Sequence, residues 1–150
     1  MDVPKNLKQR IKAWLPKTQS TPLPAAIVQS ATQSKGGYYE AMAEQHLQSH
    51  GLRTVAKNYR CRLGEVDLIM RDGATLVFVE VRNRKHSRYG TPVETVTYHK
   101  QRKIVKTALH YIAQHNLGSQ EPIRFDVVGI TEQAKPDINW VSNAFDATGF

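Results

Sequence analysis

Residues 76–84, LVFVEVRNR, begin as an apolar strand and then set Glu80 and Arg82 two positions apart. Side chains on a strand alternate, so this carboxylate and this guanidinium share a face. A charge set inside an apolar strand costs free energy unless it is paired or holds a ligand. A second acid, Asp67, stands in an equally apolar stretch, GEVDLIM at residues 64–70, with Glu65 just before it. Carboxylates on neighbouring strands are the donors that a hard divalent cation such as Mg²⁺ takes, and an arginine beside them can stabilise the charge of a phosphodiester under attack. The chemistry within reach is therefore metal-assisted cleavage of a phosphate ester. The same groups can instead form an internal salt-bridge network, and spacing alone leaves both readings open.

Both acids sit on one hairpin. RDGA, residues 71–74, joins the two strands, and Asp72-Gly73 is a strong turn signal. The register expected from that turn sets Met70 opposite Thr75, Asp67 opposite Phe78 and Glu65 opposite Glu80, with Asp67 and Glu80 as diagonal neighbours. One face then carries Val66, Leu68, Met70, Thr75, Val77, Val79 and Val81 and must be core. The other carries Glu65, Asp67, Ile69, Leu76, Phe78, Glu80 and Arg82. Around the hairpin, residues 38–51 read as a helix ended by Gly51, and residues 52–60 as a strand. Residues 98–116 read as an amphipathic helix, with Ile104, Val105, Ala108, Leu109 and Ile112 on its apolar side. Residues 123–130 form a buried strand, and INWV at 138–141 a short edge strand. The order α-β-β-β-α-β is that of an α/β layer fold with a sheet flanked by helices.

The chain has 150 residues, 21 Lys plus Arg against 13 Asp plus Glu, and a formal net charge of +8. That balance favours an anionic partner, with nucleic acid the commonest. Arg82, Arg84, Lys85 and Arg88 run out of the second hairpin strand, and Lys100, Arg102 and Lys103 open the second helix, so basic residues flank the acidic patch. A single cysteine, Cys61, forbids an intrachain disulfide and fits a reducing cytoplasm. No apolar run is long enough to span a bilayer. Residues 1–36, rich in Ser, Thr, Gln, Pro and Gly, read as a disordered extension, and residues 37–150 as a single domain. His46 and His50 have a spacing that can bind zinc, but no further ligands accompany them, so packing is expected. Asp126, in RFDVV, is expected to be a structural acid paired with Arg124.

Taken in order, EAMAEQHL from Glu40, NYR at 58–60, GEVDLI, FVEVRNR, RFDVV and NAF at 143–145 resemble the YraN-like family of small bacterial proteins. That family falls within the PD-(D/E)XK nuclease superfamily of restriction-endonuclease-like proteins and is similar to Holliday-junction resolvases. The resemblance implies an αβββαβ core with a mixed sheet, and a divalent-metal-dependent endonuclease, active on DNA and by the resolvase likeness on branched DNA. It implies Mg²⁺ or Mn²⁺ held by Asp67 and Glu80, with Glu40 completing the site and Glu65 in support, and it admits a homodimer. Arg82 stands where the superfamily places a lysine that orients the attacking water. Arginine stays protonated and cannot act as a general base, although it can clamp a phosphate. A non-catalytic nucleic-acid-binding module on the same fold is thus the alternative.

Overall fold

The computed structural model describes residues 35–85 and 91–148. Arg88 and the extension up to residue 34 lie outside the described residues. The elements are α1 (Lys35–Ser49), β1 (Arg53–Cys61), β2 (Gly64–Asp72), β3 (Thr75–Arg84), a 3-10 turn (Val93–Thr95), α2 (Tyr98–Gln114), β4 (Ile123–Thr131) and β5 (Asp137–Phe145). The strands form one sheet in the order β1-β2-β3-β4-β5. Strands β3 and β4 are parallel, joined by the crossover through α2, and the other pairs are antiparallel. This is the expected restriction-endonuclease-like core, with β5 a full edge strand rather than a short one.

Both faces of the sheet are covered. Ile69, Phe78, Phe125 and Val127 pack with Ile104, Val105, Ala108, Leu109 and Ile112 of α2. Leu68, Met70, Val77, Val79, Val128 and Ile130 pack with Tyr39, Ala43 and Leu47 of α1. A strand buried on both sides reads as a continuous apolar run, which is why β3 hardly alternates. Helix α1 presents its apolar residues at intervals of four and closes at Gly51, whose φ of +93° is the left-handed value that suits glycine. There the Leu52 amide donates to the Leu47 carbonyl at 3.2 Å.

The hairpin register differs from the sequence expectation. The ladder runs Asp72↔Thr75, Arg71↔Leu76, Met70↔Val77, Ile69↔Phe78 and Leu68↔Val79. The strands thus pair two residues further toward the turn, around a two-residue loop of Gly73 and Ala74. Arg71 and Asp72 stay in the ladder because they have partners: Arg71 pairs with Glu121, and Asp72 accepts from Arg124 at 2.7 Å. Gly73 takes φ +56°, as the first position of such a loop requires. A shift of two preserves the faces from Leu68 to Val79, but Val66, expected beside Leu68 and Met70, packs instead with Ile69 and Phe78 on the α2 side. It does change who meets whom: the ladder ends at Leu68↔Val79, beyond which the Asp67 and Glu80 carboxyls come within interaction distance, while Glu65 is paired with Arg60 on β1 and not with Glu80.

Asp126 is the buried anchor of the far side of the sheet, with 0% exposure. It accepts from Arg124 Nε at 3.0 Å and Nη2 at 3.1 Å, from Trp140 Nε1 at 3.0 Å and from the Asn143 amide at 3.0 Å. The β4–β5 register shifts between Phe125 and Val127, and Asn143 adopts φ +53°. The carboxylate therefore caps the irregularity that β5 makes there. His46 and His50 pack their rings at 4.5 Å against each other and edge-on to Trp140. No helix among the described residues is long and apolar enough to cross a membrane. Asp126→Ala leaves these donors buried with no acceptor and is expected to cost about 3 kcal/mol, read as a lower urea midpoint. An unchanged midpoint would contradict the anchoring role.

Candidate functional site

Glu80 is 4% exposed although it carries a charge. The β3 sequence places it there: Phe78, Glu80 and Arg82 alternate on the side of α2, with Phe78 in the core and Arg82 toward solvent. One carboxylate oxygen, Oε1, lies 3.4 Å from Lys100 Nζ and 3.7 Å from Arg82 Nη1. The other, Oε2, is buried and has no N–H or hydroxyl donor, while the Asp67 carboxyl lies within hydrogen-bonding reach of Glu80. Close to it on β2 is Asp67, whose Oδ2 accepts the Val81 backbone N–H at 2.7 Å.

Burial pushes the Asp67 carboxyl up to about 7, the negative charge of Glu80 adds to the rise, and the Val81 N–H opposes it. Glu80 is also raised by burial, with Lys100 and then Arg82 pulling it back. Asp67 can give Glu80 a hydrogen bond only by carrying a proton itself. The pair is thus a site short of positive charge on one side, and a proton or a cation supplies it. Two carboxylates, one with a buried oxygen that has no donor, match the oxygen ligands that Mg²⁺ or Mn²⁺ prefers.

Arg82 is held from the other side. Its Nη2 donates to the Thr95 carbonyl at 3.3 Å. The segment carrying Thr95 is pinned by Pro92, which is buried over Gly129, the residue beside Arg82 in the β3–β4 ladder. A Cβ at Gly129 would fall 2.5 Å from Pro92 Cγ, so only glycine admits this close packing. Just beyond, Thr97 caps α2 by accepting the Lys100 N–H at 3.3 Å. The cap fixes the first turn of the helix and with it the start of the Lys100 side chain.

The remaining expected residues take distinct places. Glu40, on α1, is partly buried, and its carboxyl is raised first by burial and then by Asp67, with an Asn58 hydrogen bond opposing. It feels the pair electrostatically, yet among the described residues no three His, Cys, Asp or Glu side chains form a ready metal cage. Glu65 is exposed and forms a 3.1 Å ion pair with Arg60. Arg84 is half-buried at the end of β3, and Lys85, Arg102 and Lys103 are exposed. Lys100 is the residue whose place sequence reasoning missed. It was grouped with the basic helix face, but it reaches the buried carboxylate. The available signal was the Thr97 cap three residues earlier, which sets Lys100 in the first turn of a helix that follows the Glu80 strand.

Residues 39–130 match the model described as the uncharacterised protein family UPF0102. A UPF0102 protein of Legionella pneumophila is 47% identical over 116 residues, covering 77% of this chain and 98% of its own. One of Stutzerimonas stutzeri is 48% identical over 120 residues, covering 79% of this chain and 99% of its own. One of Coxiella burnetii is 48% identical over 117 residues, covering 78% of this chain and 96% of its own.

The raised Asp67 carboxyl fixes the sign of a stability effect. A carboxyl whose folded pKa lies above its ordinary value of 3.8 binds more protons folded than unfolded, so its contribution to stability falls as pH rises from about 4 to about 7. The loss is a few kcal/mol at most. Without divalent ions, Asp67→Asn is expected to raise the melting temperature at pH 8 and to flatten this part of the profile relative to wild type. An unchanged difference between the two proteins from pH 4 to 8 would contradict the assignment.

Proposed function

We propose that this chain, which belongs to the uncharacterised protein family UPF0102, is a divalent-metal-dependent endonuclease that hydrolyses phosphodiesters of DNA, branched DNA among its candidate substrates. The observation that carries the reading is the pair of carboxylates on the central hairpin, Asp67 and Glu80, with Glu80 Oε2 buried and without a donor while Lys100 and Arg82 face Oε1. Two adjacent buried carboxyls, with Asp67 pushed up to about 7 and one Glu80 oxygen lacking an N–H or hydroxyl donor, favour a cation ligand over a simple salt bridge. The excess of basic residues supports a polyanionic substrate.

Asp67 and Glu80 would hold Mg²⁺ or Mn²⁺, with Glu40 supporting from α1. The ion supplies neutralisation of phosphate charge and makes water a better nucleophile. Arg82 cannot take a proton, so its part is to clamp a non-bridging phosphate oxygen and stabilise the charge that grows there. Thr95 holds Nη2 and Glu80 faces Nη1, and the side chain, 38% exposed, still presents an edge to substrate. Lys100 takes the part that the superfamily gives to a lysine at position 82. Its ammonium, anchored by Glu80 and with a side chain 33% exposed, is placed to orient the attacking water. The arginine at 82 is then no obstacle to catalysis, because the lysine comes from the helix.

The test is cleavage of labelled four-way junction, flap, single-stranded and duplex DNA in Mg²⁺, Mn²⁺ or EDTA. Wild type is expected to cut in the metal ions and not in EDTA. Asp67→Ala is expected to lose cleavage, and Lys100→Ala to slow it by about 100-fold or more with binding retained. Cleavage by Asp67→Ala at the wild-type rate would overturn the assignment, and binding without cleavage by any variant would favour the binding module.

A further inference from the structure

A cleft of about 350 Å³ opens beside the carboxylate pair, lined by Arg60, Cys61, Gly64, Glu65, Lys100 and Lys103. We infer that this cleft is a phosphate subsite, holding the phosphodiester next to the one that is cut; the inference rests on the nuclease reading and extends it to substrate positioning. Two elements form the cleft. The turn from β1 to β2 brings Arg60, Cys61 and Gly64, and the first turns of α2 bring Lys100 and Lys103, one helical turn apart. Gly64 seals the turn against the helix, since a Cβ there would fall 2.9 Å from Thr107 Oγ1.

The charge of the cleft selects an anion. Three cations face one acid, and that acid, Glu65, is engaged by Arg60 in an ion pair whose side chains are 74% and 48% exposed. Such an exposed pair is weak, so a phosphate can displace Glu65 from Arg60 at little cost. Lys100 is the shared wall, because the same side chain lines the cleft and reaches Glu80 Oε1. A nucleic-acid strand carries a phosphate at every nucleotide. With one phosphate at Arg82 and the carboxylate pair, the neighbouring one falls toward Lys100, Lys103 and Arg60. The contacts are to backbone phosphate, so the subsite positions the strand and reads no sequence.

Cys61 makes the cleft measurable, because it is the single cysteine of the chain. The rate of its alkylation by iodoacetamide is measured with and without a saturating single-stranded 12-mer in Ca²⁺, alongside cleavage in Mg²⁺. Bound 12-mer is expected to slow alkylation at least about five-fold, and high salt to restore the free rate. Lys103→Gln and Arg60→Gln, both at exposed positions, are each expected to lower the slope of log affinity against log salt by about 0.7. Alkylation at the free rate under saturating 12-mer, or unchanged slopes in both variants, would overturn the subsite even if the protein cuts DNA. Protection of Cys61 without any cleavage would keep a phosphate-binding cleft but sink the nuclease, and with it the placing of that phosphate beside a scissile one. Absence of binding at any salt would sink both.

Discussion

Placing two carboxylates beside each other on a buried hairpin is the constraint on which the rest of this site depends. Each acid alone is costly to bury, and together they repel. The fold answers on one side only. A backbone N–H serves Asp67, while Lys100 and Arg82 serve one oxygen of Glu80. The remaining Glu80 oxygen has no N–H or hydroxyl donor. An arrangement selected for stability alone would place an apolar pair here, since a well-packed apolar replacement of buried ions is often neutral or better. Asp126 illustrates the contrast: it is equally buried, yet its oxygens meet a guanidinium, an indole N–H and a backbone N–H.

The parallel crossover from β3 through α2 to β4 supplies the cations. Where β3 leaves the core, the chain turns at Pro92, whose packing demands glycine at position 129, and starts α2 at the Thr97 cap. Arg82 and Lys100 thus reach Glu80 from different elements, one along the strand and one from the helix above it. Ligand sites in α/β folds tend to gather where strands end beneath helix starts. The hairpin turn between β1 and β2 adds Arg60 to the cleft that Lys100 shares with the Glu80 site.

Much of this was readable from residue order. The α-β-β-β-α-β pattern, the hairpin faces apart from Val66, which packs on the α2 side, and the structural part of Asp126 follow from alternation, helical spacing and the short RFD motif. The register was not, because the turn signal at Asp72-Gly73 cannot say whether Arg71 and Asp72 belong to the loop or the ladder. Their partners, Glu121 and Arg124, lie far along the chain. The length of β5 was missed for a related reason: its polar residues pair with β4 and cap on Asp126, which no local pattern reveals. Lys100 was hidden by its surroundings. Among Arg102, Lys103 and Lys106 it looks like one more solvated charge, and only the packing of the first turn of α2 beside β3 singles it out.

The most direct measurement is anomalous diffraction from crystals grown in Mn²⁺. The account predicts one strong anomalous peak within coordinating distance of both the Asp67 and Glu80 carboxylates, with Lys100 and Arg82 beside it. Crystals without such a peak, in which Asp67 and Glu80 share a proton at the same Mn²⁺ concentration, would contradict a metal-dependent site.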